Sequence, residues 1–149
     1  MAKYLSDVAT GKKNVPQPYD ALVTKVPVDV ALPAAALVVG DIITLADVPP
    51  GVQLADYDIF APQLDSNAAP ALAFAIGVEN AAGTDLATVY EAGLTFGRTA
   101  NGSISRAGNA VAALDDRTVA RRIALKVTTA AATSATAGKK VLAFLHLRN

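Results

Sequence analysis

The sequence predicts an all-β fold: an antiparallel β-sandwich or jelly-roll-like barrel of about eight strands, entered through an extended N-terminal arm. Three observations carry this. Apolar residues alternate with period two in segment after segment, the pattern of a strand with one buried face. Turn signals built from Gly, Pro, Asn and Asp recur at intervals of roughly 8–15 residues, as in sandwiches and barrels. The most alanine-rich run, which composition alone would make a helix, lies between two alternating segments near the C-terminus.

Residues 1–20 are polar and contain "GKKN" and "VPQPYD". Closely spaced prolines favour extended, non-helical backbone. This stretch reads as an arm, and residues 21–149 as a single β-sandwich domain. "LVTKVPVDV" alternates, with Val23, Lys25, Pro27 and Asp29 on one parity and Leu22, Thr24, Val26, Val28 and Val30 on the other. Pro27 confines that strand to an edge or a bulge. Gly40-Asp41 and Pro49-Pro50-Gly51 are turn signals that bracket the β-branched strand "DIITLADV". "VQLADYDIFAP" follows, with Asp56 and Asp58 on one face and Tyr57 and Ile59 on the other.

"ALAFAIGVE" is the cleanest alternation. Leu72, Phe74, Ile76 and Val78 share one face, and Ala71, Ala73, Ala75 and Gly77 the other. A face of small residues lets another backbone approach closely. "LATVYEAGLTFG" is a strand interrupted by Gly93, a bulge signal. Asn101-Gly102 in "RTANGSISRAGN" is a hairpin-turn dipeptide. "AVAALDDRTVARR" keeps no clean helical stripe, so residues 107–122 read as loop or short helix.

The closing segment "VTTAAATSATAGKKVLAFLHLRN" settles the class. "RIALKVTT" alternates before the alanine run, and "KVLAFLHLR" alternates after it. The run is studded with Thr128, Thr129, Thr133, Ser134 and Thr136, whose hydroxyls compete with helical backbone bonding. It has no large apolar stripe with which to dock a short helix. It therefore reads as a connection between the last two strands.

A chain of 149 residues fits one domain and can bury roughly 70% of its unfolded surface. Hydrophobic residues make up 52% of it but aromatics only 5%. A core of small side chains gains less area per residue, so part of the apolar surface is expected to be buried against other subunits. The absence of cysteine excludes disulfides, thiolate metal sites and cysteine nucleophiles. The N-terminus shows no apolar signal-peptide region. The longest apolar run, "VALPAAALVVG", is broken by Pro33 and is too short to span a bilayer. The expectation is a soluble protein made in a cytoplasm.

Net charge is zero, which argues against nucleic acid as a partner. The distribution is uneven. Residues 1–25 carry four Lys and two Asp, residues 26–97 nine acidic residues and no Lys or Arg, and residues 98–149 nine basic and two acidic residues. Either strands from the two halves interleave and mix these charges, or the subunit is dipolar and docks acid on base.

No catalytic set emerges. His146, the single histidine, sits in a strand near the end with no nucleophile motif beside it, and reads as a half-buried strand residue. Asp56, Asp58 and Asp65 are conceivable calcium ligands, but a solvated strand edge is the ordinary reading of the first two. Asp115-Asp116 reads as a turn. Gly93, Gly97 and Gly102 lack the strand–glycine–helix context of a phosphate loop. Asn101-Gly102-Ser103 matches a glycosylation sequon, without a secretion signal to give it meaning. Arg117, Arg121 and Arg122 have no interleaved aromatics, and read as a solvated or subunit-facing patch. The sequence calls for no cofactor, no metal and no enzymatic activity.

Three phrases in order resemble a pattern of small virion proteins from tailed bacteriophages. They are "GDIITLADVPPGVQLADYDIFAPQLDSNAAPALAFAIGVEN", "ATVYEAGLTFGRTANG" and "RRIALKVTTAAATSATAGKKVLAFLHLR", and the pattern covers roughly residues 23–148. The chain resembles the head decoration or cement proteins. That resemblance implies a β-sandwich or jelly-roll fold and a homo-oligomer, dimer or trimer. It implies the major capsid protein as partner, and a place on the outside of the shell, where the protein braces neighbouring capsomers against packaged DNA. Assembly would follow synthesis in the host bacterial cytoplasm. On this reading the contact residues are those of the arm, Lys3, Tyr4, Lys12, Lys13 and Tyr19, together with edge strands. The alternatives are a head-completion or tail subunit and a carbohydrate-binding β-sandwich module. Sugar sites stack on exposed aromatics, and this chain has no tryptophan, only Tyr4, Tyr19, Tyr57 and Tyr90.

Overall fold

The computed structural model describes residues 2–13, 23–105 and 109–149. Among them the chain forms nine strands and one short helix: β1 (Lys3–Leu5), β2 (Thr24–Ala31), β3 (Ile42–Val48), β4 (Gln53–Pro62), β5 (Ala73–Glu79), β6 (Leu86–Leu94), β7 (Asn101–Ser105), α1 (Asn109–Leu114), β8 (Arg121–Thr129) and β9 (Lys140–Arg148). Two sheets face each other. One has the order β1-β3-β8-β5-β6 and the other β2-β9-β4-β7. With β2 counted as the first of eight strands, one sheet holds the first, eighth, third and sixth. The other holds the second, seventh, fourth and fifth. That is the strand order of a jelly roll. Every pairing among these eight is antiparallel, while β1 joins parallel to β3, with Tyr4 opposite Ile43.

The period-two segments supply the inner faces. Val26, Val28 and Val30 of β2, Tyr57 and Ile59 of β4, and Val141, Ala143, Leu145 and Leu147 of β9 line one sheet. Ile43, Leu45, Phe74, Ile76, Ile123, Leu125 and Val127 line the other. Burying each of the larger groups stabilises the fold by about 1.5–3 kcal/mol. Phe74 stacks on Phe96 with ring centroids 4.6 Å apart. Pro27 lies on β2, an edge strand that among the described residues pairs with β9 alone. Gly93, at φ 74°, sits where Phe74 faces Leu94 but Ile76 faces Glu91, which is the bulge its sequence signalled. A second bulge, between Leu54 and Asp56, sets the parity of β4 so that both Leu54 and Tyr57 point inward.

The alanine run is not helical. Residues 130–139 pass between β8 and β9 as extended loop and turns. Their backbone is committed to the segment after β4: Ser66 donates to the carbonyl of Thr133 at 2.9 Å, and Ala135 donates to that of Leu64 at 2.9 Å. The short helix falls at Asn109–Leu114, inside the stretch the sequence left between loop and helix.

The expected hairpin turn at Asn101-Gly102 does not occur. Both residues open β7 and pair with Pro62 and Ala61 of β4, while the turn lies just before them. Gly102 is required for a different reason. A Cβ there would lie 1.4 Å from the carbonyl oxygen of Phe96. The small face of β5 works similarly, since a Cβ on Gly77 would lie 2.0 Å from the Thr88 carbonyl oxygen of β6.

Candidate interaction surfaces

The acidic middle and basic end of the chain interleave, because β8 and β9 insert between strands of the acidic part. Arg122 pairs with Asp47 across β8–β3 at 2.6 Å, Lys126 with Asp85 at 2.6 Å, and Lys140 with Asp29 across β9–β2 at 3.1 Å. The interleaving is unequal in depth. Asp41, Asp58, Asp65, Glu79 and Asp115 are buried, whereas Arg121 is the one buried cation among the described residues. On the four-stranded sheet the surface therefore presents ammonium heads more freely than carboxylates, whereas on the other sheet Asp47 and Asp85 are more exposed than Arg122 and Lys126.

Each buried carboxylate has partners in place. Asp41 accepts the amides of Ala2 at 2.7 Å and Val38 at 3.0 Å. Glu79 accepts from Lys3 and, at 2.8 Å, from the Thr44 hydroxyl. Asp65 accepts the amides of Asn67, Ala71, Leu72, Ala132 and Thr133. Desolvation pushes its pKa up, but these donors win and hold it well below the ordinary carboxylate range. A carboxylate so occupied by N–H groups is a loop staple. Among the described residues no three His, Asp or Glu side chains gather as a metal site.

Three further expectations need correction. Arg117, Arg121 and Arg122 do not form a patch. Arg121 is buried in a two-pronged ion pair with Asp115, which also accepts from Tyr90 Oη at 2.6 Å and the Leu54 amide at 2.7 Å. Asp115 is thus the hub of a buried network rather than a turn residue. Nor is Asp58 on a solvated edge: β4 is an interior strand, and Asp58 lies under Lys25 at 3.2 Å and His146 Nε2 at 2.8 Å. His146 is half-buried in β9, where the alternation put it.

The residues proposed for contacts divide. Lys3 and Tyr4 belong to β1; Lys3 reaches Glu79, and the Tyr4 ring packs against the core. Lys12 and Lys13 are exposed in the turns that follow, with Lys13 3.4 Å from Asp29. Tyr19 lies outside the described residues.

Sequence reasoning passed over one surface. On the outer face of the four-stranded sheet, Pro27, Phe144 and Asp58 stand in one row, and Asp29, Leu142 and Phe60 in the next. Phe60 and Phe144 meet edge to face at 5.9 Å. A shallow groove of about 290 Å³ runs beside them, lined by Phe60, Ala61, Pro62, Gly102, Lys140 and Leu142. The even parity of "KVLAFLHLR" already held Leu142 and Phe144 opposite the core positions, which was the available signal.

No family model matches the chain, and no curated protein matches it. Solved structures do. The chain is similar to a chain in the capsid of Ralstonia phage GP4, with a TM-score of 0.82 and 26% identity, over 99% of this chain and 97% of that one. It also shares its fold with a chain of the cyanophage Pam1 capsid asymmetric unit, at a TM-score of 0.61 and 16% identity, over 93% and 96% of the two chains. The structural neighbours of this jelly roll are chains of phage capsids.

Proposed function

We propose that this chain is a structural protein of a phage virion that binds the outer surface of the shell and braces neighbouring capsomers. One observation carries the reading: its end-to-end similarity to a chain in the capsid of Ralstonia phage GP4. The mechanism is mechanical, not catalytic. Many copies, as homo-oligomers, bury area across joints between major capsid proteins. A ligand that binds only the assembled state stabilises that state by mass action. Lys3, Tyr4, Lys12, Lys13 and Tyr19 are the contact residues of the N-terminal segment.

Co-sedimentation with expanded shells lacking this chain tests the proposal. Saturable binding, with a raised temperature of shell disruption, is the expected result. Absence of binding at both low and high salt would overturn it and turn attention to a head-completion or tail role. Replacing Lys12, Lys13 and Tyr19 by alanine should weaken binding while leaving thermal unfolding unchanged; undiminished affinity would remove the N-terminal segment from the contact.

A further inference from the structure

We infer that the outer face of the four-stranded sheet docks onto an acidic, apolar-centred surface of the shell subunit. This rests on the shell-binding reading above and adds one face of the sandwich to the contacts of the N-terminal segment. The face has an apolar centre of Pro27, Phe60, Leu142 and Phe144, and Phe60 keeps 39% of its surface exposed. Exposed apolar clusters rimmed by polar groups mark interaction sites. A groove of about 290 Å³ beside Phe60 is large enough to seat an apolar side chain, the geometry of an interface anchor.

The charges around this centre choose the partner. Lys25 and Lys140 expose 61% and 63% of their side chains, whereas the carboxylates they pair with, Asp58 and Asp29, expose 10% and 34%. Lys13 adds another exposed ammonium beside Asp29. The three lysines therefore meet an approaching surface with cationic heads above Asp58 and Asp29, while the part-buried Asp56, level with His146, accepts the Tyr57 amide. Such a rim favours a partner carrying carboxylates around its apolar contact. Two copies of this chain placed face to face here would set lysine against lysine, which disfavours a symmetric self-contact. The edge strand β2 bounds the face, and Pro27 and Lys25 blunt it against strand addition. Contact is thereby directed to the side chains of the face.

The test compares shell affinities of full-length variants by co-sedimentation. Phe60→Ala and the pair Lys25→Gln/Lys140→Gln should each lower affinity about tenfold or more, with thermal unfolding as the control for folding. Phe60→Leu keeps apolar bulk and should recover most of the binding. Asp47→Asn, on the opposite sheet, should bind like the parent. The parent's affinity should fall with added salt more steeply than that of the lysine variant. Parent-like binding by the face variants would overturn the inference and leave shell binding intact. Failure of the parent itself to bind would overturn the function as well. If the face variants instead dissociate an oligomer in sedimentation velocity without changing shell affinity per subunit, the occupant is a second copy and the inference is wrong.

Discussion

The carboxylate of Asp65 accepts the backbone amide of Thr133 at 3.0 Å, joining the loop after β4 to the alanine-rich run between β8 and β9. The same carboxylate takes four further amides. Removing it strands several buried donors at once. Asp65→Ala should therefore cost about 2–4 kcal/mol in chemical denaturation, since hydrogen bonds to charged groups are worth more than neutral ones. The folded pKa of Asp65 is depressed below its unfolded value near 3.9. Its contribution is thus present in full above about pH 4 and is lost as pH falls below that, toward the folded value. The stability gap between parent and Asp65→Asn should be constant at neutral pH and shrink in acid. A gap that widens in acid would contradict the staple.

Gly102→Ala should be among the most damaging single-methyl additions in the chain. The clash is with the backbone oxygen of Phe96, which cannot rotate away as a side chain can. A loss of about 3 kcal/mol or more is expected, at the upper end of overpacking costs. Gly51 makes the comparison informative. It has φ 87° and open space where a Cβ would go, so Gly51→Ala pays only backbone strain, about 1 kcal/mol. Equal losses at the two sites would mean that conformation, not close approach, selects glycine at position 102.

How far the sequence reveals this molecule depends on whether the determinant is local. Alternation is local, and it gave the core parity of β2, β5, β8 and β9 correctly. So did Gly93 as a bulge and Pro27 as an edge marker. Asn101-Gly102 misled because the dipeptide fits two demands, a left-handed turn or a close approach. The one that applies is imposed by Phe96 across space. Asp115 and Arg121 look like surface residues in the sequence, since burial of an ion pair depends on who closes over it. Here Tyr90 and the Leu54 amide do so. The docking face was half visible: both parities of β9 are apolar, but only the sheet order brings Phe60 beside Phe144.

Lys3 ties the short strand β1 to the domain through Glu79, whose side chain is 2% exposed. Lys3→Met leaves that carboxylate with the Thr44 hydroxyl and only the more distant charge of Arg122. A loss of about 1–3 kcal/mol is expected. Hydrogen exchange at Ile42 and Ser6, whose amides bond to Ala2 and Thr44, should quicken together. Unchanged exchange would show that β1 is held by its backbone ladder alone.

The buried triangle of Tyr90, Asp115 and Arg121 allows a test at the other end of the pH scale. Burial first, then the hydrogen bond and charge of Asp115, push the Tyr90 hydroxyl well above its ordinary value. A group whose folded pKa is raised contributes stability below its unfolded pKa and loses it above. Stability should therefore decline as pH rises past about 10, and the decline should be smaller in Tyr90→Phe. In near-ultraviolet titration Tyr90 should ionise only as the chain unfolds. A tyrosinate signal from Tyr90 in the folded protein near its ordinary pKa would refute the triangle. Within the same network, Arg121→Met isolates a buried carboxylate and should cost about 3–5 kcal/mol, whereas Arg121→Met with Asp115→Leu should recover much of that, because a buried pair is costly to break yet adds little over an apolar replacement. The recovery would be incomplete by the bonds that Asp115 makes to Tyr90 and to the Leu54 amide, which the leucine leaves unpaired.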